Sequence, residues 1–413
     1  MKSLKLIILI ILLIGCSETK NHPNQFSSLS DTLIIHSHKH KGTGLFNVGA
    51  GAATFKDTSD LKSMEDFYFY PDYRVIYPEN MEDLKLGFQI IAFDSLRYFN
   101  ETLDNTKYQN INSLADRQIL MITGRINDTE VFMVDDNHNQ DFRDDSIRIM
   151  KDWDWYSEEN LILCNYNLDL ENQTVKDSGW FRIGNYYDRM LHSASQHLLA
   201  DLSIDEKRFK IGIADYNAVS FDFYRPVLAL LESDEMIRDT LLKRDIIYPG
   251  EYLKLGKHHY KFHDLYNGSG TIVLTKEERF DTLVGTQVGM LAPDFKCLSI
   301  QGDTLKMNDL IKGKPLLLAN YSGCTSRSYN IFKKLNSECE ESFQIIGLEH
   351  GINKIMDGTH VDIKLEYNKD IYEKYRKAYS SYDCYLIGTG GRILDKFDIF
   401  DWEEYLSDYK SES

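Results

Sequence analysis

The sequence predicts an α+β multidomain protein, a β-rich N-terminal region followed by a smaller α/β domain. Three observations carry this reading. The chain has 413 residues, too many for one hydrophobic core, so it divides. Short β-branched and aromatic runs, many alternating with period two, dominate the first part, as half-buried strands require. Beyond Val288 the pattern changes, and apolar runs alternate with stretches of helical spacing. The predicted boundaries are a leader at 1–15, a tether at 16–30, the β-rich region at 31–285 as one or two domains, and the α/β domain at 286–413.

The leader comes first. Lys2 and Lys5 supply two positive charges, residues 6–14 are an unbroken apolar run, and Gly15 precedes Cys16. A charged start, a short apolar stretch and small residues at the cut describe a secretory signal peptide. A membrane-spanning helix needs about 20 apolar residues, and this run is roughly half that. Leu13-Ile14-Gly15-Cys16 resembles the lipobox of bacterial lipoproteins. The resemblance implies cleavage after residue 15 and acylation of Cys16 as the new N-terminus. The expected location is the cell envelope, lipid-anchored to a bacterial membrane and facing the periplasm or the cell surface. The polar residues after Cys16 then act as the tether.

Composition narrows the partners. A hydrophobic content of 42% with 12% aromatic residues is that of a globular protein. A net charge of −17 excludes nucleic acid, whose phosphates such a surface repels. Beyond Cys16 the cysteines are Cys164, Cys297, Cys324, Cys339 and Cys384, irregularly spaced and without a CxxC pair. Neither a zinc knuckle nor a dense disulfide framework is indicated.

Within the β-rich region, strands are expected at 86–91, 119–122, 129–134 and 210–213, and a hairpin or meander at 252–274. A helix is expected at 185–202, with Met190, Leu191, Ala194, Leu198 and Leu199 on one face. His36, His38 and His40 alternate, so one strand would put them on one face, as a transition-metal site requires, or they form a solvated edge. The segment Asp135-Asp136-Asn137-His138-Asn139-Gln140-Asp141-Phe142-Arg143-Asp144-Asp145 places oxygen side chains at Asp135, Asn137, Asn139 and Asp141, followed by Asp145. That spacing wraps a loop around Ca²⁺, which takes about six to eight oxygens. It resembles the D-x-N-x-N-x-D loops of dockerin-like and EF-hand-type calcium sites, with Gln140 in place of the usual glycine. A polar hairpin turn is the other reading.

In the α/β domain, strands are expected at 316–319, 343–346, 385–387 and 392–394, and helices at 326–339, 370–379 and 401–409. Four segments there carry a resemblance. Val288-Gly289-Met290-Leu291-Ala292-Pro293-Asp294-Phe295 is similar to a G-x-x-A-P-D-F opening, and 302–310 to the hairpin that follows it. Gly313-Lys314-Pro315-Leu316-Leu317-Leu318-Ala319-Asn320-Tyr321 resembles the strand leading into a redox motif, and Tyr385-Leu386-Ile387 with Gly391-Arg392-Ile393 the closing strand pair. In this order they resemble the thioredoxin-like TlpA/ResA and AhpC/TSA family, as Bacteroidetes-type lipoproteins carry it. The resemblance implies a thioredoxin-like fold, no required cofactor and a thiol nucleophile at Cys324.

The redox motif departs from the family. Where W-C-x-x-C belongs, the chain has Gly323-Cys324-Thr325-Ser326-Arg327, so Arg327 replaces the resolving cysteine. A thiolate at a helix N-terminus is stabilised by the dipole, and Arg327 adds to this. Tyr382 falls where the family carries the cis-proline of its substrate loop, so the Ser381–Tyr382 bond is expected to be trans. Cys384 either resolves a mixed disulfide on Cys324 or is a small buried strand residue. Two functions follow, an atypical single-cysteine thiol-disulfide oxidoreductase with an envelope protein partner, or an inactive thioredoxin-fold scaffold. On the anchor, Cys16→Ser is expected to abolish lipid modification and membrane retention; a variant that still fractionates tightly with membranes would contradict the lipobox assignment.

Overall fold

The computed structural model describes residues 24–26, 31–52, 55–57, 75–91, 118–155, 157–159, 161–170, 173–187, 189–216, 218, 220–266, 270–322, 326–349, 358–376 and 382–410. The leader, Cys16 and most of the tether lie outside this set. Among the described residues no helix is long and apolar enough to cross a membrane.

The strands expected in the β-rich region all form, and they sort into four sheets. Glu82–Ile90, Gln118–Ile126 and Thr129–Val134 make an antiparallel meander edged by Lys56–Asp57 and Arg148–Ile149. Ile162–Leu170, Gln173–Tyr186 and Arg189–Ala194 make a second sheet, completed by Gly51–Ala52. Residues of these two sheets, including Ile119, Met121, Phe132, Ile162 and Phe181, share one core. Gln196–Ile204, Lys207–Asp215 and Pro226–Ser233 form the centre of a third sheet. Tyr252–Leu255, His258–Tyr266, Thr271–Glu277 and Thr32–His36 form the fourth. Leu202, Ile211 and Leu228 from one side meet Leu33, Phe262 and Ile272 from the other in a second core. Each such side chain contributes about 1.5–3 kcal/mol by leaving water. The region therefore holds two sheet-on-sheet cores.

The helix expected at 185–202 is absent, and two strands take its place, Arg189–Ala194 and Gln196–Ile204. Leu198, Ala200, Leu202 and Ile204 are buried at every second position, facing the second core. Asp205 and Glu206, both at positive φ (49° and 68°), turn the chain back into Lys207–Asp215. Hairpin pairing and a two-position period outweigh the accidental helical spacing of the apolar residues.

In the C-terminal domain the strands are β1 (Leu316–Asn320), β2 (Gln344–Glu349), β3 (Thr359–Asp362), β4 (Asp383–Ile387) and β5 (Ile393–Asp398). The helices are α1 (Ser326–Cys339), α2 (Lys369–Tyr375) and α3 (Trp402–Lys410). The sheet order is β3-β2-β1-β4-β5. β1, β2 and β3 run parallel, while β4 is antiparallel to β1 and β5 to β4. Leu316 and Leu318 face one way, towards Ile371 and Tyr375 of α2. Leu317 and Ala319 face the other, towards Phe332 and Leu335 of α1 and Leu406 of α3. A parallel β-α-β unit joined to an antiparallel hairpin, with helices on both faces, is the thioredoxin-like arrangement. β3 was not expected, because four residues after Gly358 carry too short a pattern to read.

The two regions touch through buried charge. The 3₁₀ turn Lys243–Asp245 lies against β4 and β5: Lys243 Nζ is 2.9 Å from Asp383 Oδ1, and Arg244 Nη1 is 3.0 Å from Asp395 Oδ2. Lys396 is 4% exposed, 3.8 Å from both Glu251 and Asp383, and its ammonium sits over the Tyr248 ring at 5.0 Å. Burial disfavours the Lys396 charge, but the two carboxylates outweigh it and raise the pKa. Removing one member of a buried ion cluster strands the others. Lys396→Ala is therefore expected to lower the unfolding free energy by about 3–5 kcal/mol in urea denaturation; a loss within error of an exposed lysine such as Lys254 would show that the cluster is solvated.

Candidate functional site

The nucleophile is expected from the sequence where β1 gives way to α1. Ser328, fully buried in the first turn of α1, donates its hydroxyl to the Ser322 carbonyl (2.8 Å) and accepts the Ser322 N–H (3.2 Å). This double bond ties the start of the helix to the end of the strand. Cys324 itself, with Gly323 and Thr325, lies outside the described residues, as does Ser381. The described residues next to them in sequence are held by side-chain hydrogen bonds. Asn320 Nδ2 donates to the carbonyls of Tyr375 (2.9 Å) and Asp383 (2.7 Å), joining β1 to the end of α2 and the start of β4. Arg376 Nη1 donates to the carbonyls of Tyr321 (3.1 Å) and Leu348 (3.3 Å) and to Asn320 Oδ1 (3.3 Å). Tyr321 is buried against Phe332, and its hydroxyl lies 2.9 Å from His360 Nδ1. Burial, then the Glu349 charge, pushes the Tyr321 phenol up.

Arg327 and Tyr382 are the two positions that depart from the family motifs, and they meet on one ring. The Arg327 guanidinium lies 4.9 Å from the centre of Phe400, and Tyr382 is tilted against the same ring at 5.2 Å. The Tyr382 carbonyl accepts the Ile399 N–H at 2.8 Å. Phe400 was missed at the sequence level, since nothing in a lone phenylalanine before a terminal helix marks it as shared support. An arginine over an aromatic face is held by the ring quadrupole, so its charge is anchored at the start of α1.

Cys384 pairs with Ala319 across the sheet and is fully buried. Burial pushes its thiol well above the usual value, and the charges of Asp398 and Asp383 add to this. Cys297 is pushed up to about 12 by burial. Cys164 is raised in the same way, and Cys339, the last residue of α1, is buried in the core. Cys164, Cys297 and Cys384 are free thiols.

The second candidate, the loop 135–145, connects Thr129–Val134 to Arg148–Ile149. Asp135 is fully buried, and its carboxylate accepts the N–H groups of Asn139 and Gln140, both at 2.9 Å. Asn137 Oδ1 accepts from Asn139 N (3.0 Å) and Asn139 Oδ1 from Asp141 N (2.8 Å). The amides of Asn137 and Asn139 both donate to Asp144 Oδ2, at 3.2 and 2.9 Å. Asp141 turns its carboxylate to the Arg143 guanidinium (2.6 and 2.8 Å), which holds its pKa down at about 2. Asp145 goes the other way. Burial, with the charges of Asp135, Asp136 and Asp144, raises it to about 7 against one backbone hydrogen bond.

His36, His38 and His40 do not share a strand. The chain changes sheets at Ser37, so His36 pairs opposite Thr271 while His38 and His40 pair opposite Leu199 and His197. Among the described residues no three His, Cys, Asp or Glu side chains converge closely enough to hold a metal by themselves.

The fold has solved counterparts. The thioredoxin domain of a thiol-disulfide oxidoreductase from Bacteroides vulgatus is 19% identical, covering 31% of this chain and 99% of its own, with a TM-score of 0.24. The mitochondrial 2-Cys peroxiredoxin of Plasmodium falciparum is 17% identical over 30% of this chain and 93% of its own, TM-score 0.25. An exposed lipoprotein thioredoxin of Streptococcus pneumoniae is 14% identical over 28% and 99%, TM-score 0.22. No protein-family model matches the sequence, and no curated protein matches it.

The Asp145 carboxylate gives a pH prediction. Its pKa in the fold is raised, so between the unfolded value of about 4 and the folded value of about 7 the folded state holds the extra proton. Stability from this group falls as pH rises through that window and levels off above it. In the presence of chelator, Asp145→Asn, which mimics the protonated form, is expected to gain thermal stability relative to the parent between pH 5 and pH 8. Parallel melting curves across that range would show that the carboxylate is not strained.

Proposed function

We propose that this protein is a thiol-disulfide oxidoreductase of the cell envelope, held to a membrane through lipid on Cys16 and using Cys324 as its single nucleophile. The carrying observation is the sheet order with Ser328 clamping α1 to the end of β1. Cys324 lies in sequence between Ser322 and the start of α1 at Ser326, which supports its role as the nucleophile. There the helix dipole favours the thiolate, and Arg327, held over Phe400, adds a positive charge one turn along. The Cys324 thiolate attacks one sulfur of a substrate disulfide, forms the mixed disulfide and releases the other sulfur as a thiolate. A second thiol must then attack the mixed disulfide to free Cys324. The burial and raised pKa of Cys384 favour an external thiol for that step. Tyr382, packed on Phe400, takes the place of the family's proline beside the site.

The same observation supports the second reading, a thioredoxin-fold scaffold without turnover. Every described cysteine is buried, and without a reactive thiol among the described residues the fold serves equally as a binding module. Thiol kinetics separate the two. Under the oxidoreductase reading, Cys324 alkylates at neutral pH faster than Cys297 and Cys339, with an apparent pKa below the reference of about 8.5. Arg327→Ala is expected to slow it. Arg327→Cys restores a CxxC pair and is expected to raise insulin reduction from near zero, with Tyr382→Pro raising it further. An alkylation rate equal to that of an unperturbed thiol, with no gain in the double variant, would leave only the scaffold.

A further inference from the structure

We propose that the loop 135–145 is a calcium site, with Asp135, Asn137, Asn139 and Asp145 as side-chain ligands and the Asp141 carbonyl as a backbone ligand. The site belongs to the β-rich region and stands apart from the redox reading.

Two independent observations meet in it. The first is the register of oxygens. Asp135, Asn137, Asn139 and Asp141 occupy the first, third, fifth and seventh positions of an oxygen-lined loop, the seventh being the one that serves through its carbonyl. Asp141 suits that role, since its carboxylate is already committed to Arg143. The backbone follows the same plan. Gln140, at the sixth position where such loops carry glycine, has φ 65°, and it donates its N–H to the first carboxylate.

The second observation is a buried anion that the protein leaves unanswered. Asp145 is 9% exposed, and its Oδ2 is buried without a hydrogen-bond partner among the described residues. Its Oδ1 accepts the Asp136 N–H at 3.3 Å, which turns the carboxylate into the loop. The two cations nearby are engaged elsewhere, Arg143 with Asp141 and Arg148 with Asp136 at 3.4 Å. A buried carboxylate pairs with a cation, coordinates a metal or takes up a proton, and among the described residues no cation is paired with Asp145. The segment carries five aspartates against one arginine (Asp135, Asp136, Asp141, Asp144 and Asp145, with Arg143), so a divalent ion would relieve repulsion as well as satisfy Asp145. Because amide and carbonyl oxygens supply much of the shell, no trio of acidic, His or Cys side chains marks the site.

Calcium fits better than magnesium. Mg²⁺ demands near-octahedral geometry and keeps its waters, whereas Ca²⁺ accepts irregular shells of carboxylate, amide and carbonyl oxygens. The loop is also held at both sides. Phe142 is buried and donates its N–H to the Ile76 carbonyl (3.0 Å), and Asn165 donates its N–H to the Asp136 carbonyl (2.8 Å). Binding therefore needs side-chain adjustment at Asn137, Asn139 and Asp144 rather than refolding.

The test uses the full mature chain, freed of metal with chelator and titrated with CaCl₂ and, separately, MgCl₂ by calorimetry and thermal melting. One Ca²⁺ per chain is expected, with a rise in the melting midpoint and weaker binding of Mg²⁺. Asp145→Asn should weaken Ca²⁺ binding by at least about tenfold. Asp128→Asn, an exposed aspartate in the neighbouring hairpin turn, should leave it unchanged. Asp135→Asn is a second ligand variant, read only if its metal-free melt shows a folded protein. Absence of both heat and midpoint shift at millimolar CaCl₂ in the parent would overturn the proposal. So would parental affinity in Asp145→Asn, or an equal loss in Asp128→Asn.

Discussion

A strand buried on both faces has no water to satisfy the groups at its end, so its last residues must find partners within the protein. Leu316–Asn320 is such a strand, with all five residues buried. Its polar closure falls to Asn320, whose amide bridges the end of α2 and the start of β4, and to Arg376, which collects the carbonyls of Tyr321 and Leu348. Those bonds bring three segments of the chain to one pole of the sheet. The α1 start is then clamped to the same pole by Ser328. The start of α1 is thus set by the need to satisfy the end of a dry strand.

The same pole is tied to the β-rich region. Asp383 opens β4, directly after Tyr382, and is 1% exposed. Its backbone carbonyl is held by Asn320, while its carboxylate meets Lys243 and Lys396. Such a cluster adds little net stability over apolar packing, but it is intolerant of losing one member. One residue thereby links the central strand, the start of β4 and a turn of the neighbouring region. The geometry next to Tyr382 depends on the β-rich region as well as on the thioredoxin-like domain.

Burial also separates the thiols and acids by what they can do. Cys164, Cys297 and Cys384 are raised because nothing near them favours the charged form over burial. Asp141 and Asp145, four residues apart, diverge for the same kind of reason. One lies against a guanidinium near solvent, and the other lies buried among aspartates. Identical side chains in one loop are thus shifted in opposite directions by their surroundings.

Much of this could be read before any coordinates. The strands at 86–91, 119–122, 129–134, 210–213 and within 252–274, the α1 span and the order of the thioredoxin-like elements follow from apolar period and ordered local motifs, because such patterns are set by which face must leave water. The oxygen spacing of 135–145 was legible for the same reason, being a local arrangement of side chains. What the chain pairs with at long range was not. The strands at 189–204 mimic a helix in spacing, and only the partner strand Lys207–Asp215 and the core beyond decide for sheet. The histidines at 36, 38 and 40 alternate perfectly, yet the chain leaves one sheet for another at Ser37. Phe400 beneath Arg327 and Tyr382, and the unanswered Oδ2 of Asp145, depend on segments meeting in space. Local periodicity reports which side of a segment is buried; it holds no information on what lies across the core, and that is where partners, pKa shifts and sites are decided.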